Sequence, residues 1–241
     1  MSDLLKASRV SKRFGGLQAV RDVDVHVSRG EIVSVIGPNG AGKTTLFNLL
    51  SGFIPVDSGT IRFGGHDVTR LPAHRRVALG MARSFQLVES FESLTVKRAL
   101  TTAALLHRPM REAQRKADEL IEALGLQHQK DRLPAELPLP SAKLLELGKC
   151  LATEPQIILL DEMMSGLTAA EAETPQAIIK DLAEDGVACL LVEHVMPIVM
   201  EVSHRVVVLS FGEKICDDTP KNVAANDHVR RAYLGGASVE S

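Results

Sequence analysis

The chain has 241 residues, of which 45% are hydrophobic and 24% are charged, with 28 basic side chains against 30 acidic ones. This length is sufficient for one large domain around a buried apolar core. The balanced charge provides no overall basic field, so we expect no nucleic-acid partner. No run approaches the ~20 apolar residues of a membrane-spanning helix, and the N-terminus lacks a signal-peptide core, so we expect the chain to stay in the cytoplasm.

The first part of the chain is predicted to form strands. Residues 19–27 alternate apolar and polar side chains, which favours a half-exposed antiparallel sheet. Residues 31–36 are apolar and rich in β-branched side chains, as in a buried parallel strand. A further hairpin strand is predicted at residues 58–65, and a helix that begins at a proline is predicted at residues 72–80.

The strand at residues 31–36 leads directly into the sequence GPNGAGKT at residues 37–44. This sequence matches the phosphate-binding pattern G-x-x-x-x-G-K-[ST], and the helix predicted at residues 45–51 supplies the context that the pattern requires. In such a loop, backbone N–H groups curl around the phosphates, Lys43 reaches the β- and γ-phosphates, and the Thr44 hydroxyl is available to Mg²⁺. The residues predicted to contact the nucleotide are Gly37, Pro38, Asn39, Gly40, Ala41, Gly42, Lys43, Thr44 and Thr45.

Residues 87–152 are predicted to form a helical insert. Helical runs lie at residues 96–107, 111–124 and 141–152, with prolines between the last two. Strands and helices alternate in the remainder of the chain, which predicts a parallel sheet covered by helices. The elements predicted there are strands at residues 156–160, 188–192, 205–209 and 213–217, and helices at residues 169–184 and 196–202.

Two carboxylates end the apolar strand at residues 157–160. An acid at the carboxyl end of a strand beside the phosphate loop can hold Mg²⁺, which suits Asp161. The next residue, Glu162, is then placed to polarise an attacking water as a general base.

With these two motifs, the chain resembles the ATP-binding cassette subunits of ABC transporters along its whole length. Phe14, in the sequence KRFG, is similar to the family's adenine-stacking aromatic residue, and His194, in LLVEH, is similar to its switch histidine, which contacts the γ-phosphate. Gln86, in RSFQ, corresponds to the glutamine that touches Mg²⁺ or the attacking water. The resemblance therefore implies ATP and Mg²⁺ as ligands, with Glu162, His194, Gln86 and Lys43 as the catalytic residues and Thr44, Gln86 and Asp161 around the metal.

The resemblance also implies the fold. We expect an α/β protein with a P-loop NTPase (RecA-like) core built on a parallel sheet, an N-terminal antiparallel β-subdomain and an inserted α-helical subdomain. One domain would span residues 1–241. The β-subdomain and the first part of the core would occupy residues 1–86, the helical subdomain residues 87–152, and the rest of the core with the C-terminal tail residues 153–241.

Two segments depart from the family's usual pattern. Residues 165–168 stand where the family's D-loop crosses to a second cassette, but Thr168 replaces the usual acidic or amide residue. The family signature, commonly LSGGQ, is replaced by LPLPS at residues 137–141, and proline has no N–H to offer a phosphate. We expect Ser141 to cap the following helix and the changed signature to impair the nucleotide bound by the partner.

The implied partners are a second ABC ATPase subunit, identical or different, two integral-membrane permeases and, indirectly, a periplasmic or extracellular solute-binding protein. The chain would lie on the cytoplasmic face of the membrane, with the loop at residues 86–95 receiving the permease. The runs FNLLSGF at residues 47–53, GMARSFQ at 80–86 and EHVM at 193–196 resemble the cassettes of branched-chain amino acid importers. The alternatives are a soluble ABC ATPase that acts on nucleic acid and a largely non-catalytic, nucleotide-gated subunit.

Overall fold

The computed structural model describes residues 3–84 and 93–234, which form an α/β fold with two sheets. The strands are β1 (Asp3–Phe14), β2 (Leu17–Ser28), β3 (Ile32–Ile36), β4 (Ser58–Phe63), β5 (His66–Asp67), β6 (Met81–Arg83), β7 (Ile157–Asp161), β8 (Ala188–Val192), β9 (Arg205–Ser210) and β10 (Glu213–Asp218). The α-helices are α1 (Lys43–Ser51), α2 (Ala73–Ala78), α3 (Val96–Ala104), α4 (Met110–Ala123), α5 (Leu139–Ala152), α6 (Ala169–Glu184), α7 (Met196–Val202), α8 (Pro220–Ala225) and α9 (Asp227–Leu234). Two 3₁₀ turns lie at Gln127–Gln129 and Pro134–Glu136.

The N-terminal sheet is antiparallel and has the strand order β2-β1-β4-β5. Its alternation of apolar and polar side chains works as the sequence predicts, because Val23, Val25 and Val27 point into the core while their neighbours are more exposed. The predicted half-exposed sheet is therefore confirmed.

The second sheet has the order β10-β9-β3-β8-β7-β6 and carries the phosphate-binding motif. Its pairings from β6 to β9 are parallel, and every residue of β3, β7 and β8 is buried. The predicted parallel sheet is present, and its last strand differs in direction from the others. β10 pairs antiparallel with β9 because a tight turn at Phe211 and Gly212 joins them, which leaves no room for a crossover helix.

Apolar side chains cover both faces of this sheet. Along β7, Ile157 and Leu159 pack into the cluster that contains α1 and the N-terminal sheet, whereas Ile158 and Leu160 pack into the cluster that contains α6. Burial on both faces explains why these strands read as continuous apolar runs in the sequence.

Helices α3, α4 and α5 share an apolar cluster that includes Leu100, Ile121 and Leu145. The expectation that Ser141 caps α5 is wrong, since the helix begins at Leu139 and its N-cap is Pro138. Pro140 is accommodated at the second helical position because a first-turn residue needs no intrahelical N–H bond. The boundaries of the predicted subdomains stay a prediction.

Helices α8 and α9, near the C-terminus, were not among the predicted elements. Val223 and Val229 are their buried residues, and both pack against β9 with Val206 and Val208. Across residues 3–84 and 93–234, no helix has both the length and the apolar character needed to cross a membrane.

Arg205 joins three strands at the edge of the sheet opposite the phosphate loop. Its guanidinium contacts Glu31 Oε1 at 2.8 Å, Asp217 Oδ1 at 2.6 Å and the His26 carbonyl at 2.5 Å, and its side chain is only 16% exposed. We expect Arg205→Gln to lower the free energy of unfolding by about 2 kcal/mol, because it leaves the partly buried Glu31 carboxylate without its cation and leaves Asp217 with Lys214 alone. Urea denaturation of the purified chain measures this loss.

The matched control is Arg115→Gln. Arg115 pairs with Glu119 on the exposed surface of α4, where an ion pair contributes little. Equal unfolding midpoints for the two variants would show that the Arg205 cluster does not stabilise the sheet edge.

Candidate nucleotide-binding site

The phosphate-binding loop connects β3 to α1 and is held by close backbone contacts. Gly37 and Gly42 have φ angles of 153° and 98°, and a Cβ at either position would lie 2.2 Å or 2.3 Å from the carbonyl oxygen of Leu209 or Ala19. Gly40 has a φ angle of 77° and open space where its Cβ would be. Gly37 and Gly42 are therefore required because the loop packs closely against neighbouring strands. Gly40 has no side chain that would block the approach of a ligand.

Lys43 is the first residue of α1, and its side chain folds back along the loop. Its ammonium donates hydrogen bonds to the carbonyls of Gly37 at 2.7 Å and Pro38 at 3.1 Å. Burial lowers the pKa of Lys43, while the carboxylates of Glu162 and Asp161 oppose that shift. The ammonium is thus already oriented by the loop that would cradle a phosphate.

A cavity of about 380 Å³ opens over the loop. The residues of the phosphate loop that line it belong to the predicted nucleotide site, and Glu162 closes one end. Its lining residues are Leu17, Gln18, Ala19, Asn39, Gly40, Ala41, Gly42, Lys43, Thr44, Thr45, Glu162 and Phe211. The predicted loop residues 39–45 therefore surround one space, and the carbonyls of Gly37 and Pro38 accept hydrogen bonds from the Lys43 ammonium.

Sequence reasoning missed the side of the cavity formed by β2 and the β9–β10 turn. Leu17 is 67% exposed and Phe211 is 87% exposed, so both present apolar surface at the rim. Phe211 has a φ angle of 47°, which is unusual for a bulky residue, and no local sequence pattern predicts that conformation. Only the pairing of β10 with β9 brings this aromatic ring to the loop.

Asp161 and Glu162 lie at the end of β7. The Asp161 side chain is 8% exposed, and burial raises the pKa of its carboxyl, opposed by the Arg83 guanidinium 3.3 Å from Oδ2. Glu162 has a φ angle of 49°, and its N–H donates to the Val192 carbonyl at 2.9 Å. This left-handed turn ends the strand and directs the chain away from the sheet, a strained conformation of the kind found at functional sites.

His194 lies just beyond the end of β8, the strand next to β7. Its Nδ1 lies 3.9 Å from Glu162 Oε1, and its side chain is 53% exposed. In the parallel register Asp161 pairs with Val192, which in turn pairs with Val35, so the three strands end at the same level. The structure therefore brings the two carboxylates and His194 to one edge, as the sequence predicts.

Glu193 is a buried carboxylate beside this edge that sequence reasoning did not identify. It is 1% exposed, and its Oε1 accepts a hydrogen bond of 3.0 Å from the Met164 N–H. Burial raises the pKa of Glu193, while the Met164 hydrogen bond and the charges of His194 and Lys143 oppose the rise. Glu193 thus fixes the turn after Glu162 to the strand that carries His194.

Lys143, in the second turn of α5, also reaches this turn. Its ammonium donates a 2.9 Å hydrogen bond to the Glu162 carbonyl, which ties the segment of the altered signature to the turn after β7 in the same chain. Thr168 caps α6, since its hydroxyl accepts from the Glu171 N–H and the Glu171 carboxylate accepts from the Thr168 N–H. A threonine therefore replaces the family's usual residue here without loss of the helix cap.

One predicted residue lies away from this constellation, and another falls outside the described part of the chain. Phe14 ends β1 and is 48% exposed, with the Lys12 ammonium 5.6 Å from its ring, and it does not line the cavity. Gln86 lies outside the residues that the structure describes. Their proposed contacts with adenine and Mg²⁺ stay predictions.

The donors present fit a magnesium nucleotide. N–H groups of the loop and the Lys43 ammonium suit phosphate oxygens, while the Thr44 hydroxyl and the Asp161 carboxylate are hard oxygen ligands. Within residues 3–84 and 93–234, no cluster of three or more histidine, cysteine or acidic residues forms a self-sufficient metal site. Mg²⁺ needs none, because it commonly takes one or two protein ligands together with phosphate oxygens.

A parallel sheet with a glycine-rich loop at the N-terminus of a helix, and with acids at the end of a neighbouring strand, defines a P-loop nucleoside triphosphatase. The family model described as ABC transporter matches residues 20–165. The chain belongs to the ABC transporter family of ATP-binding subunits. Both the predicted fold class and the predicted family are confirmed, and the chain is an ATPase subunit of this family.

The similarity to individual proteins extends over nearly the whole chain. It is 37% identical over 251 aligned positions to the high-affinity branched-chain amino acid transport ATP-binding protein BraF of Pseudomonas aeruginosa strain PAO1, covering 97% of this chain and 98% of that protein. It is 27% identical to a nucleotide-free ATP-binding cassette from an ABC transporter, with a TM-score of 0.88 and coverage of 96% and 99%. A cassette solved in its ADP conformation is also 27% identical, with a TM-score of 0.87 and coverage of 98% and 100%.

The buried Glu193 predicts a pH-dependent stability difference. Because its folded-state pKa is raised, the wild type loses stability as pH rises above the unfolded glutamate value of about 4.3. Glu193→Gln keeps an acceptor for Met164 and carries no charge, so we expect it to be about 1 kcal/mol more stable than the wild type at pH 7. The two proteins should converge as the pH falls below about 4, where the wild-type carboxyl becomes protonated in both states.

Thermal unfolding at a series of pH values measures this difference. Glu201→Gln is the control, since the Glu201 side chain is 63% exposed in its pair with Lys180 and should show no such gain. A Glu193→Gln protein that is less stable than the wild type at pH 7 would contradict the expectation.

Proposed function

We propose that this site binds ATP with Mg²⁺ and hydrolyses it through the residues that the sequence singles out. The observation that supports this most strongly is the single cavity shared by Lys43, Thr44 and Glu162, with His194 Nδ1 3.9 Å from Glu162. In this proposal the loop of residues 37–45 holds the phosphates. Thr44, Asp161 and Gln86 hold Mg²⁺, which when bound neutralises phosphate charge.

Glu162 acts as the general base in this proposal. Its carboxylate accepts a proton from the attacking water, and the side chain, which is 28% exposed, is accessible to that water. His194 contacts the γ-phosphate, and Lys43 moves from the carbonyls of Gly37 and Pro38 to the phosphate oxygens. Phe14 stacks on adenine in the same arrangement.

The transported solute that we propose is a branched-chain amino acid or a related small amino acid or amide. BraF, the relative named above, is a branched-chain amino acid transport protein, and the runs at residues 47–53, 80–86 and 193–196 support the same group. The solute itself would contact the permeases and a periplasmic or extracellular binding protein. This chain would supply the free energy from the cytoplasmic face.

A second cassette, identical or different, completes the proposed machine. ATP would favour the closed pair because it contacts both cassettes only in that state. In this chain the segment that would close over the partner's nucleotide contains Pro138 and Pro140, which donate no N–H bonds. We propose that the site built on this chain's own phosphate loop is the more competent of the two.

A groove of about 300 Å³, formed by residues other than those of the loop at 86–95, is a surface where we propose that one of the two integral-membrane permeases docks. It lies between the core elements α2 and β6 and the helices α3 and α5. Its lining residues are Val77, Ala82, Arg83, Thr102, Ala103, Leu106, Glu146, Lys149, Cys150 and Thr153. A mainly apolar groove that is also lined by charged side chains suits a short amphipathic helix of a permease.

The catalytic proposal is tested by Glu162→Gln and Lys43→Ala in the assembled complex. We expect Glu162→Gln to bind ATP as the wild type does but to hydrolyse it about 100- to 10,000-fold more slowly, because the general base is lost. Lys43→Ala should also lose nucleotide affinity, since it removes a charge that contacts the ground-state phosphates. Equilibrium binding of a fluorescent ATP analogue and release of phosphate distinguish the two effects.

Either of two results would contradict these roles. Undiminished ATPase activity in Glu162→Gln would exclude Glu162 as the base, and unchanged ATP binding in Lys43→Ala would exclude the assigned phosphate site. Glu173→Gln, on α6 and outside the cavity, is the control for a general effect of charge removal.

The docking proposal is tested at Leu106, which lines the groove and is 44% exposed. We expect Leu106→Asp to reduce recovery of integral-membrane subunits with the tagged chain about tenfold, because a carboxylate would have to be buried against the permease. Met200→Asp is the control, since Met200 is 39% exposed on α7 and lies outside the groove. Equal recovery with both variants would show that the permease binds elsewhere.

A further inference from the structure

Arg83, the last residue of β6, occupies the space between the phosphate-loop helix and the end of β7. Its side chain is only 10% exposed. One terminal nitrogen donates to Asn48 Oδ1 at 2.6 Å and to Ser51 Oγ at 2.7 Å, and the other lies 3.3 Å from Asp161 Oδ2. The planar guanidinium therefore binds two separate elements at once.

Two aromatic rings hold this guanidinium in position. Its central carbon lies 5.9 Å from the centroid of Phe47 and 5.2 Å from that of Phe53. Both distances suit a cation–π contact, which adds to the hydrogen bonds that hold the guanidinium in place. The hydrogen bonds and the ring contacts together orient the Arg83 guanidinium toward Asp161.

The two elements joined by Arg83 carry the two described residues to which we assign the metal. Thr44 is on α1, whose later turns contain Asn48 and Ser51, and Asp161 ends β7. A contact that ties α1 to the Asp161 carboxylate therefore sets the placement of one proposed ligand relative to the other. Arg83 engages one carboxylate oxygen, and a second oxygen suffices for a metal ligand.

We propose that Arg83 is a positioning residue that orients Asp161 and the Thr44 helix for Mg²⁺. This inference rests on the proposed function, because it takes Thr44 and Asp161 as the ligands. Lysine cannot replace Arg83 in this role, since a single ammonium cannot reproduce a rigid fork that spans two elements and lies between two rings. Groups that orient a metal-binding carboxylate commonly change metal affinity 10- to 100-fold when they are removed.

The test measures ADP binding by the purified full-length chain with no Mg²⁺ and at increasing Mg²⁺ concentrations. We expect Arg83→Lys and Arg83→Gln to bind ADP as the wild type does in the absence of Mg²⁺. The Mg²⁺ concentration that gives half of the increase in affinity should rise about 10- to 100-fold. Calorimetry gives both quantities without any catalytic turnover.

The control for loss of a buried arginine is Arg205→Gln, which breaks an ion-pair cluster far from the loop and should leave the Mg²⁺ dependence unchanged. An unchanged Mg²⁺ dependence in folded Arg83→Lys, with a changed dependence in Asp161→Asn, would overturn the role of Arg83 alone. An unchanged dependence in Asp161→Asn would overturn the metal assignment and the inference together. If Arg205→Gln changed the Mg²⁺ dependence of ADP binding as much as Arg83→Lys does, the effect would come from general destabilisation. That result would also overturn the proposal.

Discussion

The parallel pairing of β3, β8 and β7 is the constraint on which the site depends. Val35 pairs with Val192, and Val192 pairs with Asp161, so the three strands end in one row. Whatever follows each strand must then emerge at the same edge of the sheet. The phosphate loop, the two carboxylates and His194 meet there because of this register, although more than a hundred residues separate the phosphate loop from Asp161 along the chain.

Backbone conformation converts this row of strand ends into a cavity. Gly37 and Gly42 allow the loop to lie against the carbonyls of Leu209 and Ala19, where any side chain would collide. Glu162 adopts a left-handed conformation that turns its side chain off the strand axis. The loop follows β3 and Glu162 follows β7, and both strands are buried and paired on the sheet. These strands hold the strained conformations in place, so the strain is retained at the site.

The parts of the fold that were predictable have strong local signals. The bounds of α6 and β8 agree with the sequence because a capping threonine, apolar periodicity and flanking glycine act together there. Phe211 and Arg83 were not identified as site residues, since their roles arise from pairings between distant strands. Ser141 was misplaced as a helix cap because local rules treat Pro140 as a break, whereas the first turn of a helix accepts it.

Two buried carboxylates at the site have cationic side chains nearby. Burial disfavours the ionised forms of Asp161 and Glu193, and cationic groups from different elements offset that cost: Arg83 beside Asp161, and Lys143 near Glu193. Lys143 belongs to the helix that begins at the altered signature, yet its ammonium binds the carbonyl of this chain's Glu162. The helix therefore contacts the turn after β7 of its own chain, while the prolines at its start offer no N–H donors, which supports the proposal of an asymmetric pair over two equal sites.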